Sequence, residues 1–148
     1  MAGEIKARKK VFVTGMSGYL GSVLCRELDH LSWCESVHGM DVKKPLYKYR
    51  KAEFRKMDIN DPKLVEWVAE LKPEVVVHLA FILKPTPDTA LMEQVNIEGA
   101  RNVLRAAEKG EVPHLVVASS GTAYGAWPDN PVPLKETDPL RPCLGFKY

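Results

Sequence analysis

The sequence has few cysteines and none of the spacings that cysteine-based sites need. Its three cysteines, Cys25, Cys34 and Cys143, form no Cys-x-x-Cys pair and no Cys/His pattern typical of zinc. An odd number of unpaired thiols is typical of proteins in a reducing compartment. We therefore expect no disulfide framework, no metal site and a cytoplasmic protein.

Long apolar runs and a charge excess are also missing. The longest apolar run, residues 75–83, is interrupted by His78 and is far shorter than the roughly 20 residues that a membrane-spanning helix needs. The N-terminal residues are basic and polar and lack the apolar core of a signal peptide. The 21 basic and 19 acidic residues leave a formal net charge of +2, which argues against nucleic acid or an anionic membrane as a partner.

Short β-branched segments alternate with segments of helical periodicity, and 45% of the 148 residues are hydrophobic, enough for one globular domain. We predict strands at 10–14, at a segment ending at 40–41, and at about 52–57, 74–79 and 114–119. We predict helices at about 19–29, 61–72 and 89–109. The inward face of the last helix is expected to carry Leu91, Val95, Val103, Leu104 and Ala107.

This alternation predicts an α/β fold with a doubly wound parallel sheet and helices on both faces. The segment Glu74 to Leu79 is almost continuously apolar, which predicts a strand that is buried on both faces. Asp61 is expected to cap the second helix, with Pro62 at its first position. Prolines are frequent after Gly121, so regular structure should be sparse there.

Three glycines follow the first predicted strand and open the first predicted helix. Gly15, Gly18 and Gly21 stand at intervals of three residues. A dinucleotide site needs a tight turn, close backbone approach to a pyrophosphate and close packing of the helix on its strand, and these glycines suit the three tasks in that order. A flexible turn is the alternative, but the strand before and the helix after favour nucleotide binding.

Two acidic positions follow the next two strands. Asp41 lies 20 residues beyond Gly21, where a carboxylate accepts hydrogen bonds from an adenosine ribose, which favours NAD over NADP. Lys43 and Lys44 are close enough to meet a 2′-phosphate instead, but we favour a solvated turn as the explanation for both lysines. Asp58 and Ile59 are placed to flank the adenine, with an ordinary loop aspartate as the alternative.

Together these motifs resemble the extended short-chain dehydrogenase/reductase family, in its NAD-dependent epimerase/dehydratase group. The family's T-G-x-x-G-x-x-G turn matches Thr14 to Gly21, its strand-4 H-x-A segment beneath the cofactor matches His78 to Ala80, and its S-S-x-x-x-Y-G signature matches Ser119 to Gly125. The resemblance implies a Rossmann-type fold and NAD as cofactor. It assigns cofactor contacts to Gly15, Ser17, Gly18, Tyr19, Leu20, Gly21, Asp41, Asp58, Ile59, Leu79, Ala80, Phe81, Asn96 and Ser119.

The resemblance also implies two catalytic residues. Ser120 holds the place of the family's catalytic Ser/Thr, which hydrogen-bonds a substrate oxygen; capping of a turn is its alternative role. Tyr148 lies 28 residues later, near the separation at which the family presents its catalytic tyrosine. The family's activating lysine comes four residues after that tyrosine, beyond these 148 residues. We therefore expect residues 1–148 to be the incomplete N-terminal dinucleotide-binding domain of a longer enzyme, without the substrate-binding region and poorly active alone.

For the whole enzyme the resemblance implies transient hydride transfer, most simply in a nucleotide-sugar epimerase. The family's 4,6-dehydratases carry Asp-Glu after the catalytic threonine, whereas Gly121 and Thr122 occupy those positions here, which argues against water elimination. An NAD(P)-dependent dehydrogenase or carbonyl reductase of the same family, and a non-catalytic dinucleotide-binding module, are the alternatives. A homodimer is an expectation from the family alone.

Overall fold

The computed structural model describes residues 8–83 and 88–143. Within them, five parallel strands form one sheet in the order β3-β2-β1-β4-β5, so the predicted doubly wound α/β fold is confirmed. The strands are β1 Lys9–Thr14, β2 Cys34–Asp41, β3 Ala52–Lys56, β4 Val75–His78 and β5 His114–Val117. The α-helices are α1 Tyr19–His30, α2 Lys63–Leu71, α3 Thr89–Glu93 and α4 Gly99–Lys109.

The central strand β1 separates two layers because its side chains alternate. Val11 and Val13 face one hydrophobic cluster with Cys25 and Leu28 of α1. Phe12 faces the other cluster, which α2 and α4 cover, and its ring meets that of Trp67 edge to face at 4.8 Å between centroids. Phe12 and Val13 are fully buried, as expected of a strand covered on both sides.

The two strands beyond β1 are less covered than predicted. Val76 and His78 of β4 are buried, but Val75 and Val77 are only half-buried, so the prediction of full burial on both faces is wrong. In β5, Val116 and Val117 are 52% and 45% exposed. The reason is geometric: in the described residues α1 covers β1 and β2 on that face, and Val75 and Val77 pack against this cluster without being buried by it.

The predicted long helix is present from Thr89 to Lys109, but it contains a wider turn. Residues Gln94–Glu98 between α3 and α4 form a π-helical turn, which shifts the helical phase. Val103 and Ala107 are buried as predicted, whereas Leu91 and Leu104 are 44% and 53% exposed. The prediction of those two leucines as core residues is wrong. Leu104 follows Val103 directly in the regular helix α4, so its side chain points about 100° away from the buried face; Leu91 precedes the π-helical turn, outside α4.

Helix α2 begins and ends at local signals in the sequence. The Asp61 carboxylate accepts the Lys63 N–H at 2.9 Å, as expected of a capping aspartate. At the other end Lys72 adopts a left-handed conformation with φ 47°, and Pro73 follows. None of the helices in the described residues is long and apolar enough to cross a membrane.

The order of strands also locates a crevice. From β1 the chain crosses to β2 on one side, whereas β4 lies on the other side of β1. Open α/β sheets bind ligands at such a switch point, beyond the carboxyl ends of the strands. The fold therefore brings the residues after Thr14 and those after His78 to the same place.

Candidate cofactor-binding site

A cavity of about 340 Å³ opens at the carboxyl ends of β1, β2 and β4. Its lining includes eight of the residues to which the sequence assigned cofactor contacts: Gly15, Gly18, Asp41, Asp58, Ile59, Leu79, Ala80 and Phe81. Six further lining residues were not anticipated, namely Met40, Val42, Met57, Ile82, Leu91 and Val95. Most of these residues are next to a predicted residue in the sequence, and this adjacency is the sequence feature that could have identified them.

Gly15 and Gly21 are required by the packing of the chain itself. Gly15 has φ +72°, and a Cβ there would lie 2.7 Å from the Ala80 nitrogen. A Cβ on Gly21 would collide with the Gly15 carbonyl oxygen and lie 2.8 Å from the Met16 Cα. Distances below 3.0 Å between such atoms force the backbone to move. These two glycines therefore allow the turn to pack against β4 and against the start of α1.

Gly18 is different, because the folded chain scarcely restricts it. A Cβ at this position would meet only the Gly15 carbonyl oxygen, at 3.3 Å. Gly18 is also the N-cap of α1, and no side chain caps that helix. The first amides of a helix lack intrahelical partners, and Tyr19 and Leu20 are 82% and 58% exposed. This arrangement leaves room and donors for an anion at the helix N-terminus.

The Asp41 carboxylate is oriented by the backbone on both of its oxygens. Oδ2 accepts the N–H of Ser17 at 3.1 Å, and Oδ1 accepts the N–H of Lys43 at 2.9 Å. The Ser17 hydroxyl donates to the Lys43 carbonyl at 2.6 Å, which ties the glycine turn to the end of β2. A carboxylate oxygen accepts more than one hydrogen bond, so Asp41 keeps acceptor capacity for the hydroxyls of a ribose.

A buried group that the sequence did not indicate joins β1 to β4. The Thr14 Oγ1 accepts the N–H groups of Leu79 and Ala80 at 3.2 and 3.4 Å, and lies 2.6 Å from the His78 Nδ1. The Thr14 hydroxyl and the His78 Nδ1 therefore share one hydrogen bond in the buried layer. Burial lowers the pKa of His78 to about 4. These contacts support a structural role for a neutral His78.

Asn96 lies behind the wall of the cavity. Its side chain accepts the Ile82 N–H at 2.8 Å and donates to the Ile82 carbonyl at 3.0 Å. Asn96 is buried in the π-helical turn, whereas Ile82 lines the cavity. Among the contacts of the described residues, Asn96 thus holds the segment after β4 in place. The predicted contact of Asn96 with the cofactor stays a prediction.

The predicted catalytic residues lie apart from this cavity or outside the described residues. Ser119 and Ser120 follow β5 and are exposed, and neither lines the cavity. The Ser120 Oγ accepts the Thr122 N–H at 3.3 Å and begins a 3₁₀ turn, Gly121–Tyr124. Tyr148 lies outside the described residues. The structure therefore brings eight of the predicted cofactor-contacting residues to one cavity. Their contact with a cofactor and the pairing of Ser120 with Tyr148 both stay predictions.

The proline-rich segment after Ser120 is closed by contacts of Arg141. The Arg141 guanidinium binds the Asp129 carboxylate through two hydrogen bonds of 2.9 and 3.1 Å, which lowers the pKa of Asp129 below its ordinary value. The Trp127 indole donates to the Arg141 carbonyl at 2.6 Å, and the Arg141 N–H donates to the Ala123 carbonyl at 3.0 Å. The two ends of this segment therefore lie side by side.

No group of three or more metal-ligating side chains occurs in the described part of the chain.

Comparison with known proteins gives consistent matches along nearly the whole chain. The model of a family described as "NAD dependent epimerase/dehydratase family" matches residues 11–148. A UDP-glucose 4-epimerase of Mycolicibacterium smegmatis is 32% identical over 153 residues, which cover 93% of this chain and 46% of that protein. The chain thus spans about half the length of the curated relatives it matches.

Solved structures match to a similar extent. The Bordetella bronchiseptica enzyme WbmH, in complex with NAD⁺, superposes with a TM-score of 0.81 at 30% identity, covering 92% of this chain and 46% of its own. The uronate dehydrogenase of Agrobacterium tumefaciens gives a TM-score of 0.75 at 28% identity, covering 91% of this chain and 49% of its own.

Proposed function

The chain belongs to the NAD-dependent epimerase/dehydratase family, and on that premise we propose that it forms the NAD-binding part of an enzyme acting on a nucleotide sugar. The observation that carries this proposal is the combination of an uncapped helix N-terminus at Gly18 with the oriented carboxylate of Asp41 on one cavity. The first element suits a pyrophosphate and the second suits a ribose.

The cofactor fits the residues that are present. The amides of Tyr19, Leu20 and Gly21 would face the pyrophosphate, because the first turn of a helix leaves its N–H groups without partners. Asp41 would accept hydrogen bonds from the adenosine ribose and would repel a 2′-phosphate, which favours NAD over NADP. Bound NAD would supply the hydride-accepting centre at its nicotinamide.

The remaining chemistry is assigned to Ser120 and Tyr148. The Ser120 hydroxyl would donate a hydrogen bond to the substrate oxygen and orient it towards the nicotinamide. Tyr148 would take up the proton of the substrate hydroxyl. A phenol has a pKa of about 10, so this role needs nearby positive charge to lower it. Ser119, beside Ser120 at the end of β5, is proposed as a cofactor contact.

The proposal of a nucleotide-sugar substrate is based on the similarity to known proteins. The M. smegmatis relative is a UDP-glucose 4-epimerase, and an epimerase returns the hydride to the opposite face of the oxidised sugar. Gly121 and Thr122 offer no carboxylate for water elimination. A one-way dehydrogenase is the second candidate, and the similarity to a uronate dehydrogenase supports it. A homodimer in the cytoplasm is a further proposal that rests on the family resemblance.

Titration calorimetry of the 148-residue protein with NAD and NADP tests the cofactor proposal. We expect saturable NAD binding, weaker NADP binding, and a loss of this preference in Asp41→Ala. Gly18→Val should abolish binding while the fold persists, because only one backbone atom lies within 4 Å of the added Cβ. The matched control is Gly121→Val, whose Cβ meets nothing within 4 Å. A folded protein that binds neither cofactor would contradict the proposal.

Turnover is a separate question from binding. Because the chain spans 46% of the curated epimerase it matches, we propose that these 148 residues bind NAD but do not interconvert UDP-glucose and UDP-galactose alone. Chromatographic analysis of UDP-sugars after incubation with the protein and NAD measures this directly. Epimerisation at a normal rate by residues 1–148 would refute this part of the proposal.

A further inference from the structure

Asn102 of α4 reaches a turn that contributes to the cofactor cavity, although Asn102 itself does not line it. Its Nδ2 donates to the carbonyl oxygens of Ile59 and Asp61, at 2.8 and 3.1 Å. A primary amide has two hydrogens to donate, so both are used on this one turn between β3 and α2. Asn102 is only 9% exposed. Its loss would leave the Ile59 carbonyl without this donor, whereas the Asp61 carbonyl would keep the Leu64 N–H at 3.0 Å.

The same helix also contacts the turn one helical turn earlier. A Cβ on Gly99 would lie 2.6 Å from the Ile59 Cγ2, so only a glycine allows α4 to come this close. Ile59 is thus held through its carbonyl by Asn102 and through its side chain by the backbone at Gly99. These two residues lie three apart on α4 and therefore share one face of the helix.

The turn held in this way is internally hydrogen-bonded. The Asp58 Oδ1 accepts the Asn60 N–H at 2.8 Å, and the Asp58 carbonyl accepts the Asp61 N–H at 3.0 Å. Asp58 and Ile59 both line the cavity, on the side where Asp41 and Met57 also lie. Asp61 and the Asp58 carboxylate thus belong to one hydrogen-bonded turn.

We propose that Asn102 is a positioning residue for the adenine end of the cofactor site. It sets where Asp58 and Ile59 stand, and it acts only through their turn. This inference rests on the proposed NAD binding. An adenine presents a 6-amino donor that a carboxylate accepts, whereas hypoxanthine carries a carbonyl oxygen at that position. The placement of Asp58 by Asn102 thus determines the preference for NAD over nicotinamide hypoxanthine dinucleotide.

The test compares the dissociation constants of NAD and nicotinamide hypoxanthine dinucleotide for the wild-type chain and its variants. In Asn102→Ala and Asn102→Asp, NAD should bind about tenfold more weakly, the size of one lost hydrogen bond, and the preference for NAD should fall towards one. Asn102→Ser, which keeps one donor, should retain part of the preference. The matched control is Val103→Ala, a buried neighbour on the same helix that should lower stability but leave the preference unchanged.

The outcomes separate this inference from the proposed function. If the wild-type chain binds NAD and a folded Asn102→Ala variant keeps the wild-type preference, the inference is overturned and the proposed function stands. The same holds if Val103→Ala reduces the preference equally, since Asn102 is then merely structural. If the folded wild-type chain does not bind NAD, both this inference and the proposed function are contradicted. Hydrogen exchange of the ligand-free protein tests the contact between Asn102 and the turn. We expect the Asp61 amide to exchange faster in Asn102→Ser than in Val103→Ala, and equal exchange rates would contradict the contact.

Discussion

The glycine turn after β1 and the segment after β5 both lie at the carboxyl end of the sheet, but different forces hold them. Around β1, the buried Thr14 hydroxyl hydrogen-bonds the buried His78 side chain and accepts the N–H of Leu79, just after β4. After β5, Ser120 is exposed, and the closing contact of the segment is the ion pair between Arg141 and Asp129 on the surface.

This difference indicates which step of the proposed chemistry each region is prepared for. Buried polar groups that are held by several hydrogen bonds favour one geometry, so they reduce the ordering that a bound cofactor must impose. Exposed ion pairs contribute little to stability, and the half-exposed Val116 and Val117 support the segment after β5 more weakly than a buried strand would. Cofactor binding should therefore be robust in this chain, whereas the geometry around Ser120 should be easier to disturb.

The largest expected contrast between the regions concerns their glycines. Gly21→Ala should lower the free energy of unfolding by more than about 3 kcal/mol, because the added methyl overlaps backbone atoms that cannot move independently. Gly121→Ala should stay within about 0.5 kcal/mol, since its Cβ meets nothing within 4 Å. Urea denaturation of both variants measures the contrast, and equal losses would remove the proposed distinction.

The pH dependence of stability should be dominated by the β1 region. Below pH 6.5 an unfolded His78 takes up a proton, while the buried one stays neutral until about pH 4. Stability should therefore fall as the pH drops through this interval, by roughly 3 kcal/mol if burial acts in full.

Urea denaturation at several pH values, for the wild-type chain and for His78→Gln, isolates this contribution because the other titrating groups are common to both. The loss of stability between pH 6.5 and 4 should be smaller in the variant. Parallel pH curves would show that His78 is not protected from protonation.

The Thr14 hydroxyl should matter more to stability than the Ser120 hydroxyl. Thr14→Val keeps the shape and the Leu79 N–H bond to the Thr14 carbonyl, but it removes the hydroxyl partner of the Ala80 amide and of the His78 Nδ1, which should cost about 2 kcal/mol. Thr14→Ser should restore most of that loss. Ser120→Ala should change stability by less than about 0.5 kcal/mol. Thermal unfolding of the three variants ranks them, and a Ser120→Ala loss as large as that of Thr14→Val would contradict the comparison.

The smallest effect is expected at Arg141. Arg141→Gln removes the exposed ion pair with Asp129 and should leave the thermal unfolding midpoint unchanged. It should accelerate proteolysis only within residues 125–141, because the pair closes that segment locally. Limited proteolysis followed by mass spectrometry locates the cuts. Faster cleavage in the glycine turn as well would mean that the two regions are coupled.

Much of the cofactor side was predictable from the residues because its requirements are local. Gly15, Gly18, Gly21 and Asp41 stand at spacings that a strand, a turn and a helix impose on any dinucleotide site. In the structure Gly15, Gly18 and Asp41 line one cavity, and Gly21 packs against the backbone of Gly15 and Met16. The sequence analysis predicted both ends of four strands and the C-terminal end of β2. Each of these predicted ends lies within two residues of the observed end. Where the sequence prediction was wrong, at Leu104 and Val77, the error concerned burial.

Burial and buried hydrogen bonds depend on which elements meet, and sequence periodicity contains no information about that. The sequence by itself determined the alternation of strands and helices, the positions of the glycines and the acidic residue after β2. Only the tertiary structure decided that Thr14 hydrogen-bonds His78 and that Asn102 reaches the turn at Ile59. The physical reason is that these contacts join residues more than 40 positions apart, whereas local patterns report on neighbours within a few residues.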